Sequence, residues 1–258
     1  MIFAPGLFAG KVILISGAGG GVGGAVARLL SDLGATLALT DLDAARLGAV
    51  ALPLNALPLP ADLRRVDDCA AVVAETVETY GRLDGLVNCA GIWVEGESAS
   101  ATEADWDLCL DVTLKGCFFL AARAIPALIE SRGAIVNIAS DAGVVGNAGA
   151  AIYCAAKGGL VMASRALALE LAPKGVRVNA LCPSDILSPM LQGQADRFGG
   201  GNPQAYLDRL LAHYPQGAEA RFITVDEVAA QVAFLLSPAA AATTGAAVMM
   251  DFGLTAGY

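Results

Sequence analysis

Tyr153 and Lys157 stand one helical turn apart in A-I-Y-C-A-A-K, a spacing that puts both side chains on one face of a helix. A phenol alone is a poor base near neutrality, with an ordinary pKa of about 10. An ammonium beside it favours the phenolate, and the pair can then move a proton to or from an alcohol oxygen. A surface lysine beside a half-buried tyrosine gives the same pattern, so the pair needs a third group. Ser140 supplies it. It ends V-N-I-A-S, a strand candidate, and so falls at the carboxyl edge of a sheet, where ligands of open α/β sheets bind. There its hydroxyl can hold a substrate oxygen.

Upstream, S-G-A-G-G-G-V-G runs from Ser16 to Gly23 between a strand pattern and a helix pattern. Glycines let backbone approach a pyrophosphate, and the helix that follows offers free N–H groups and a positive dipole end. A tight strand–helix turn is the plainer reading, and the strand-to-helix context favours the phosphate loop. Asp41 closes the second strand pattern. A carboxylate there can accept from ribose hydroxyls and would repel a 2′-phosphate, and no Arg or Lys stands next to it. The expectation is therefore NAD, with NADP disfavoured. A helix-capping role for Asp41 is the alternative. A nicotinamide cation in the same pocket would further favour the Tyr153 phenolate.

These groups must be positioned by strands and helices in alternation. Apolar runs predict strands at residues 11–16, 36–40, 85–88, 134–139 and 176–181, with weaker ones at 56–60 and 247–250. They are apolar throughout rather than alternating, as in strands covered on both faces. Helices are predicted at 22–33, 65–80, 105–127 (with Thr102 as a cap), 151–171 and 225–236. Thr224 and Glu227 have capping-box spacing, and Asn202-Pro203 can open a short helix. The alternation implies a doubly wound, Rossmann-like parallel α/β sheet of about seven strands, with helices on both faces of a single domain. Residues 183–203 form a breaker-rich stretch with Gly199-Gly200-Gly201 and read as a mobile loop, part of a substrate lid at about 184–222.

The bulk properties narrow the function. The 258 residues are 56% hydrophobic and 16% charged, enough for a large core. A net charge of −9 without a Lys/Arg cluster argues against a nucleic-acid partner. Six cysteines (69, 89, 109, 117, 154 and 182) lack C-x-x-C spacing and share the chain with one histidine, His213, so no metal site is expected. Reduced cysteines in apolar segments fit a cytoplasmic setting. Residues 1–10 do not read as a leader, and no apolar run reads as a membrane span.

Taken in order, Ser16-Gly17-x-x-x-Gly21-x-Gly23, Asp41, Asp62-Leu63, Asn88-Cys89-Ala90-Gly91, Ser140, Tyr153-x-x-x-Lys157, Asn179, and Pro183 followed by Ser188 resemble the short-chain dehydrogenases/reductases over essentially the whole chain. The resemblance implies hydride transfer between NAD(H) and a secondary alcohol or ketone by a Ser–Tyr–Lys mechanism. It also implies a homo-oligomer, usually a tetramer. By the same resemblance Gly17, Gly21, Val22 and Gly23 line the pyrophosphate, Asp41 and Leu42 meet the adenosine ribose, and Asp62 and Leu63 flank the adenine. Asn88, Ala90 and Gly91 border the cofactor, and Lys157 also holds the nicotinamide ribose. Pro183, Ile186 and Ser188 lie where the family contacts the carboxamide.

Three positions depart from the family pattern. Thr113 replaces the usual Asn of the helix motif, Ser184 follows Pro183 in place of Gly, and Phe252 interrupts Asp-Gly-Gly. These departures leave one rival reading open, an NAD-binding regulator or scaffold with impaired catalysis. The substrate must be read from loops. Trp93, Val94, Val144, Val145, Met190, Leu191, Phe198 and Tyr206 can line a pocket with few charges, pointing to an uncharged, largely apolar or cyclic substrate.

Overall fold

The strands are apolar on both faces because helices cover both. A computed structural model describes residues 3–257. Met1 and Ile2, part of the segment read as lacking a leader, lie outside the described residues. The main sheet comprises β1 (Val12–Ser16), β2 (Thr36–Asp41), β3 (Leu57–Pro60), β4 (Gly85–Asn88), β5 (Ala134–Ile138), β6 (Arg177–Pro183) and β9 (Ala247–Met250). The order is β3-β2-β1-β4-β5-β6-β9, and every pairing is parallel. Strand order reverses between β1 and β4, so a crevice opens at their carboxyl ends.

The helices are α1 (Gly21–Asp32), α2 (Ala44–Ala51), α3 (Val66–Tyr80), α4 (Glu103–Leu110), α5 (Cys117–Ser131), α6 (Ala151–Leu171), α7 (Pro189–Phe198), α8 (Pro203–Leu211) and α9 (Val225–Leu236). One core layer packs Val26 and Leu30 of α1 and Val228 and Val232 of α9 on Ile13, Ile15 and Leu39. The other packs Val72 and Val73 of α3 and Leu120 and Leu128 of α5 on Leu14, Leu86 and Ile135. Leucines such as Leu14 and Leu86 are wholly buried, each contributing about 1.5–3 kcal/mol.

Three expectations are corrected. The helix expected over 105–127 starts at Glu103, where the Thr102 hydroxyl accepts from Asp105 N–H at 3.1 Å, and it is split by a π-turn at Asp111–Gly116. Gly116 explains why the helix must adjust there: a Cβ on it would stand 2.9 Å from the Leu63 carbonyl oxygen. The segment 183–203 is not a plain loop. It contains β7 (Ile186–Leu187), paired with β8 (Ile223–Thr224), and α7, with Pro189 in its first turn. Proline breaks a helix interior but is preorganised at the first position, so the same residue types served as a start signal. Third, the sequence pattern predicts no helix between β2 and β3, where α2 forms. Asp43 opens it by accepting from the Ala45 and Arg46 N–H groups, both at 3.0 Å. The capping box of Thr224 and Glu227 and the Asn202 cap are present as expected.

Residues Glu103–Ser131 and Ala151–Lys174 are long and apolar enough to cross a membrane by length and composition. Each nevertheless turns polar side chains inward, Thr113 from the first and Lys157 and Ser164 from the second.

Candidate active site

The glycine loop joins β1 to α1. Gly17 has φ +64°, the left-handed region that favours glycine, and a Cβ on it would lie 2.8 Å from Ala90 N. A Cβ on Gly23 would strike the Gly17 carbonyl oxygen. Helix α1 opens at Gly20 with no side-chain cap, leaving first-turn N–H groups for an external acceptor. Half-buried Val22 follows, and Gly21 faces the far wall: a Cβ there would meet Pro189 Cδ at 3.0 Å and Ser188 Cβ at 3.4 Å. The loop is therefore a cradle that side chains would fill, and it fits a pyrophosphate.

Asp41 ends β2 beside this loop. One carboxylate oxygen accepts from Gly19 N–H and the other from Asp43 N–H, both at 3.0 Å. Arg46, which sequence spacing did not place here, brings its Cβ within 3.1 Å of the Gly19 Cβ position. Its guanidinium is engaged by Asp43, with Nε 2.8 Å from Oδ2. Leu42 is exposed beside it. Asp62 accepts from Arg64, which holds its carboxyl below the usual range, while the Leu63 side chain is turned into the core.

A buried polar chain fixes the sheet centre. Asn88 donates to Asn137 Oδ1 at 2.8 Å and to the Cys117 carbonyl at 3.1 Å, and Asn137 donates to Ser164 Oγ at 2.8 Å. Ser16 Oγ accepts from Ala90 N–H at 3.3 Å, tying the glycine loop to the next strand end. On β6, Asn179 donates to the Thr243 carbonyl and accepts from Ala246 N–H, which seats β9.

Ser140, Tyr153 and Lys157 are all buried. Lys157 Nζ donates to the Ile138 carbonyl at 2.6 Å and lies 5.6 Å from the Tyr153 ring centroid. Thr113 reaches the same place from the π-turn. Its hydroxyl accepts from Ile92 N–H at 3.2 Å, and a Cβ on Gly91 would lie 3.4 Å from Lys157 Nζ and 3.6 Å from Thr113 Oγ1. The electrostatics differ from the sequence expectation. Burial pushes the Tyr153 phenol well above its ordinary value, and the nearby Asp141 carboxylate adds to that. Burial also pushes Lys157 down. Desolvation outweighs the lysine's help to the phenolate.

The pocket walls are more polar than the sequence suggested. Trp93 packs on Tyr153, ring centroids 4.6 Å apart, and its indole N–H donates to Glu95 at 2.8 Å. The same Glu95 oxygen accepts from Tyr206 of α8 at 2.9 Å. Ser184 is buried, its Oγ 2.8 Å from Tyr214 Oη, and Tyr214 also donates to Asp185 at 3.0 Å. Burial pushes the Asp185 carboxyl up to about 6. Glu95 and Asp185, with Arg197, are the charges that the pocket segments carry in the sequence, and the one that the sequence reading missed is Asp141, beside Ser140 at a strand end. Val144, Val145 and Met190 are exposed, and so is His213, in the turn after α8. Pro183 ends β6 and Ile186 sits in β7. Ser188 caps α7, its hydroxyl accepting from Leu191 N–H at 3.4 Å. Phe252 has φ +53°, backbone that favours glycine, with the Arg221 guanidinium 4.7 Å from its ring centroid.

Residues 17–255 match the family model described as "Enoyl-(Acyl carrier protein) reductase". The chain belongs to the short-chain dehydrogenase/reductase family. Among its relatives in this family, "2-(S)-hydroxypropyl-CoM dehydrogenase 3" of Xanthobacter autotrophicus is 39% identical over 95% of this chain and 97% of its own. "Meso-2,3-butanediol dehydrogenase" of Serratia marcescens is 36% identical, with 96% of each chain covered. The crystal structure of levodione reductase superposes with a TM-score of 0.92 at 32% identity, covering 97% of this chain and all of that one. Relatives of this kind support a hydride-transfer oxidoreductase.

Proposed function

We propose that this enzyme transfers a hydride between NAD(H) and a secondary alcohol or ketone, with Ser140, Tyr153 and Lys157 at the reacting oxygen. The convergence of these three buried groups carries the reading, with Ser140 in hydrogen-bonding reach of Tyr153 and Lys157 Nζ 5.6 Å from the Tyr153 ring centroid. In oxidation Tyr153 takes the alcohol proton while Ser140 steadies the oxygen. Lys157 keeps positive charge beside the phenol. The nicotinamide, when bound, supplies the hydride acceptor and a positive charge that offsets the burial of Tyr153. Thr113 anchors the Ala90–Ile92 strand end through Ile92 N–H, which supports a working site rather than an impaired one.

Asp41 supports NAD over NADP, since its carboxylate faces the loop and Asp43 occupies Arg46. Residues 184–222 serve as the lid, anchored to Glu95 by Tyr206. A cytoplasmic location and a homotetramer belong to the same proposal, with Phe118 of α5 and Met162 of α6 exposed on the helices that would pair. The substrate is small and carries an oxygen that the polar walls can reach.

An NAD-coupled absorbance screen over secondary alcohols, diols, sugars and ketones tests the reading. Tyr153→Phe should lose at least about a thousand-fold in turnover, the scale of a general acid–base group, while NAD binding by calorimetry stays within about two-fold. Turnover retained in that variant would refute the assignment.

A further inference from the structure

Ser140 is the group assigned to the substrate oxygen, yet its proton is already engaged. Ser140 Oγ donates to Asp141 Oδ1 at 2.8 Å and accepts from Ala142 N–H at 3.2 Å. A serine hydroxyl has one proton and two lone pairs, so one lone pair is what remains for a substrate. We propose that Asp141 is a positioning residue: while ionised it holds the Ser140 proton, so that Ser140 meets the substrate as an acceptor, and when protonated it releases that proton to a carbonyl oxygen. The proposal rests on the assignment of Ser140 and Tyr153 to the reacting oxygen.

The carboxylate is fixed in this role by its surroundings. The same Oδ1 accepts from Ala142 N–H at 2.8 Å, closing the short turn Asp141–Gly143. That turn is pressed onto α6: a Cβ on Gly143 would lie 2.8 Å from the Lys157 carbonyl oxygen. Among the described residues no cation pairs with Asp141. Ser140 shares this oxygen with the Ala142 N–H and with no cation, and an O–H donated to a carboxylate is roughly twice as strong as a neutral bond.

The consequence depends on what the substrate brings. An alcohol gives its single proton to Tyr153, so a Ser140 lone pair has nothing to accept from it. A ketone has none and wants donors: Tyr153 is one, and Ser140 is the second only after Asp141 lets go. In reduction the carbonyl carbon gains a hydride from NADH and the oxygen gains the Tyr153 proton, giving alcohol and NAD⁺. Ser140 and Asp141 keep all their atoms and only redirect one hydrogen bond. The groups around Asp141 are Ser140 on its own turn, Tyr153 and Lys157 on α6, Cys182 and Asp185 at the end of β6, and Asp251 after β9. Burial raises the Asp141 carboxyl, the Asp251 charge adds to that, and the Ser140 bond opposes it.

Two measurements test this. In the first, protein labelled with ¹³C at aspartate carboxyls is titrated by NMR, and the Asp141 signal is identified by its loss in Asp141→Asn. Ser140→Ala should raise the Asp141 pKa by about one unit, the equivalent of one charge-assisted bond. An unchanged value overturns the proposal. In the second, acetoin reduction and meso-2,3-butanediol oxidation are followed from about pH 5 to about pH 9, the range in which raised carboxyls titrate. Reductive kcat of the unaltered enzyme should fall as Asp141 ionises. Asp141→Ala should abolish that step and gain about ten-fold in reductive kcat on its alkaline side. A step that survives in Asp141→Ala, or a loss of reductive kcat in that variant on the alkaline side, overturns the proposal. If the unaltered enzyme turns over neither compound, that counts against the substrate reading, and the NMR titration decides the role of Asp141.

Discussion

Asp185 shows at the residue scale how burial and hydrogen bonding set a charge. Its carboxyl is pushed up to about 6 by burial, with the Asp141 charge adding and the Tyr214 hydrogen bond opposing. Unfolded, an aspartate titrates near 4. Between those values the folded state binds more protons than the unfolded one, so this group lowers stability as pH rises through that window. Below it the group is neutral in both states and contributes nothing. Asp185→Asn keeps an acceptor for Tyr214 and removes the charge, so its Tm should exceed that of the unaltered protein at about pH 7.5 and match it near pH 4. Calorimetric scans at both pH values check this. Asp41 gives a second prediction at this scale. Asp41→Ala removes the carboxylate beside Gly19 and leaves Arg46 nearby. The ratio of kcat/KM for NADP to that for NAD should rise by about ten-fold, the worth of one charge–charge contact of roughly 1.4 kcal/mol.

At the scale of elements, α8 is tied to the catalytic wall through a single carboxylate. Tyr206 and the Trp93 indole share one Glu95 oxygen, and Trp93 packs on Tyr153. Tyr206→Phe removes one charge-assisted bond from a buried ring and should cost about 1.5–3 kcal/mol of local stability. Hydrogen exchange should quicken in α8, and the Trp93 contribution to fluorescence should change, while exchange in β1 and β4 stays as it was. Protection unaltered in α8 would show that the lid is held elsewhere. The Ser140, Tyr153 and Lys157 pattern, the glycine loop and most strands were legible in the sequence, because each follows from local spacing or an apolar run. The π-turn at Asp111–Gly116 was not. It ends at Gly116, which packs closely on the Leu63 carbonyl, a contact between segments far apart in the chain. Helix α7 was hidden for another reason: Pro189 is a breaker or a starter depending on where the helix begins.

The whole molecule presents apolar side chains on the helices at one side of the sheet. Met162 is 59% exposed and Leu169 81% exposed on α6, with Phe118 beside them in the chain order on α5. A second copy covering this face agrees with the oligomer proposed above. Met162→Glu would place a charge there and should lower the mass measured by light scattering, with far-UV circular dichroism unchanged. An unchanged mass would move the interface elsewhere.

By itself the sequence determined the parallel α/β sheet, the order of its landmarks, the glycine loop between β1 and α1, and the strand-end and helix positions of Ser140, Tyr153 and Lys157. Continuous apolar strands, glycine spacing and helical periodicity are local properties, and local sequence encodes them directly. Only the tertiary structure decided the polarity of the pocket and the balance of charge within it. The sequence suggested a largely apolar pocket with Glu95, Asp185 and Arg197 as its charges. Folding ties Glu95 to Trp93 and Asp185 to Tyr214, adds Asp141 beside Ser140 and near Tyr153, and buries Tyr153 and Lys157 so deeply that desolvation opposes the ionised phenol. Such shifts depend on what surrounds a group from every direction, and spacing along the chain does not contain that.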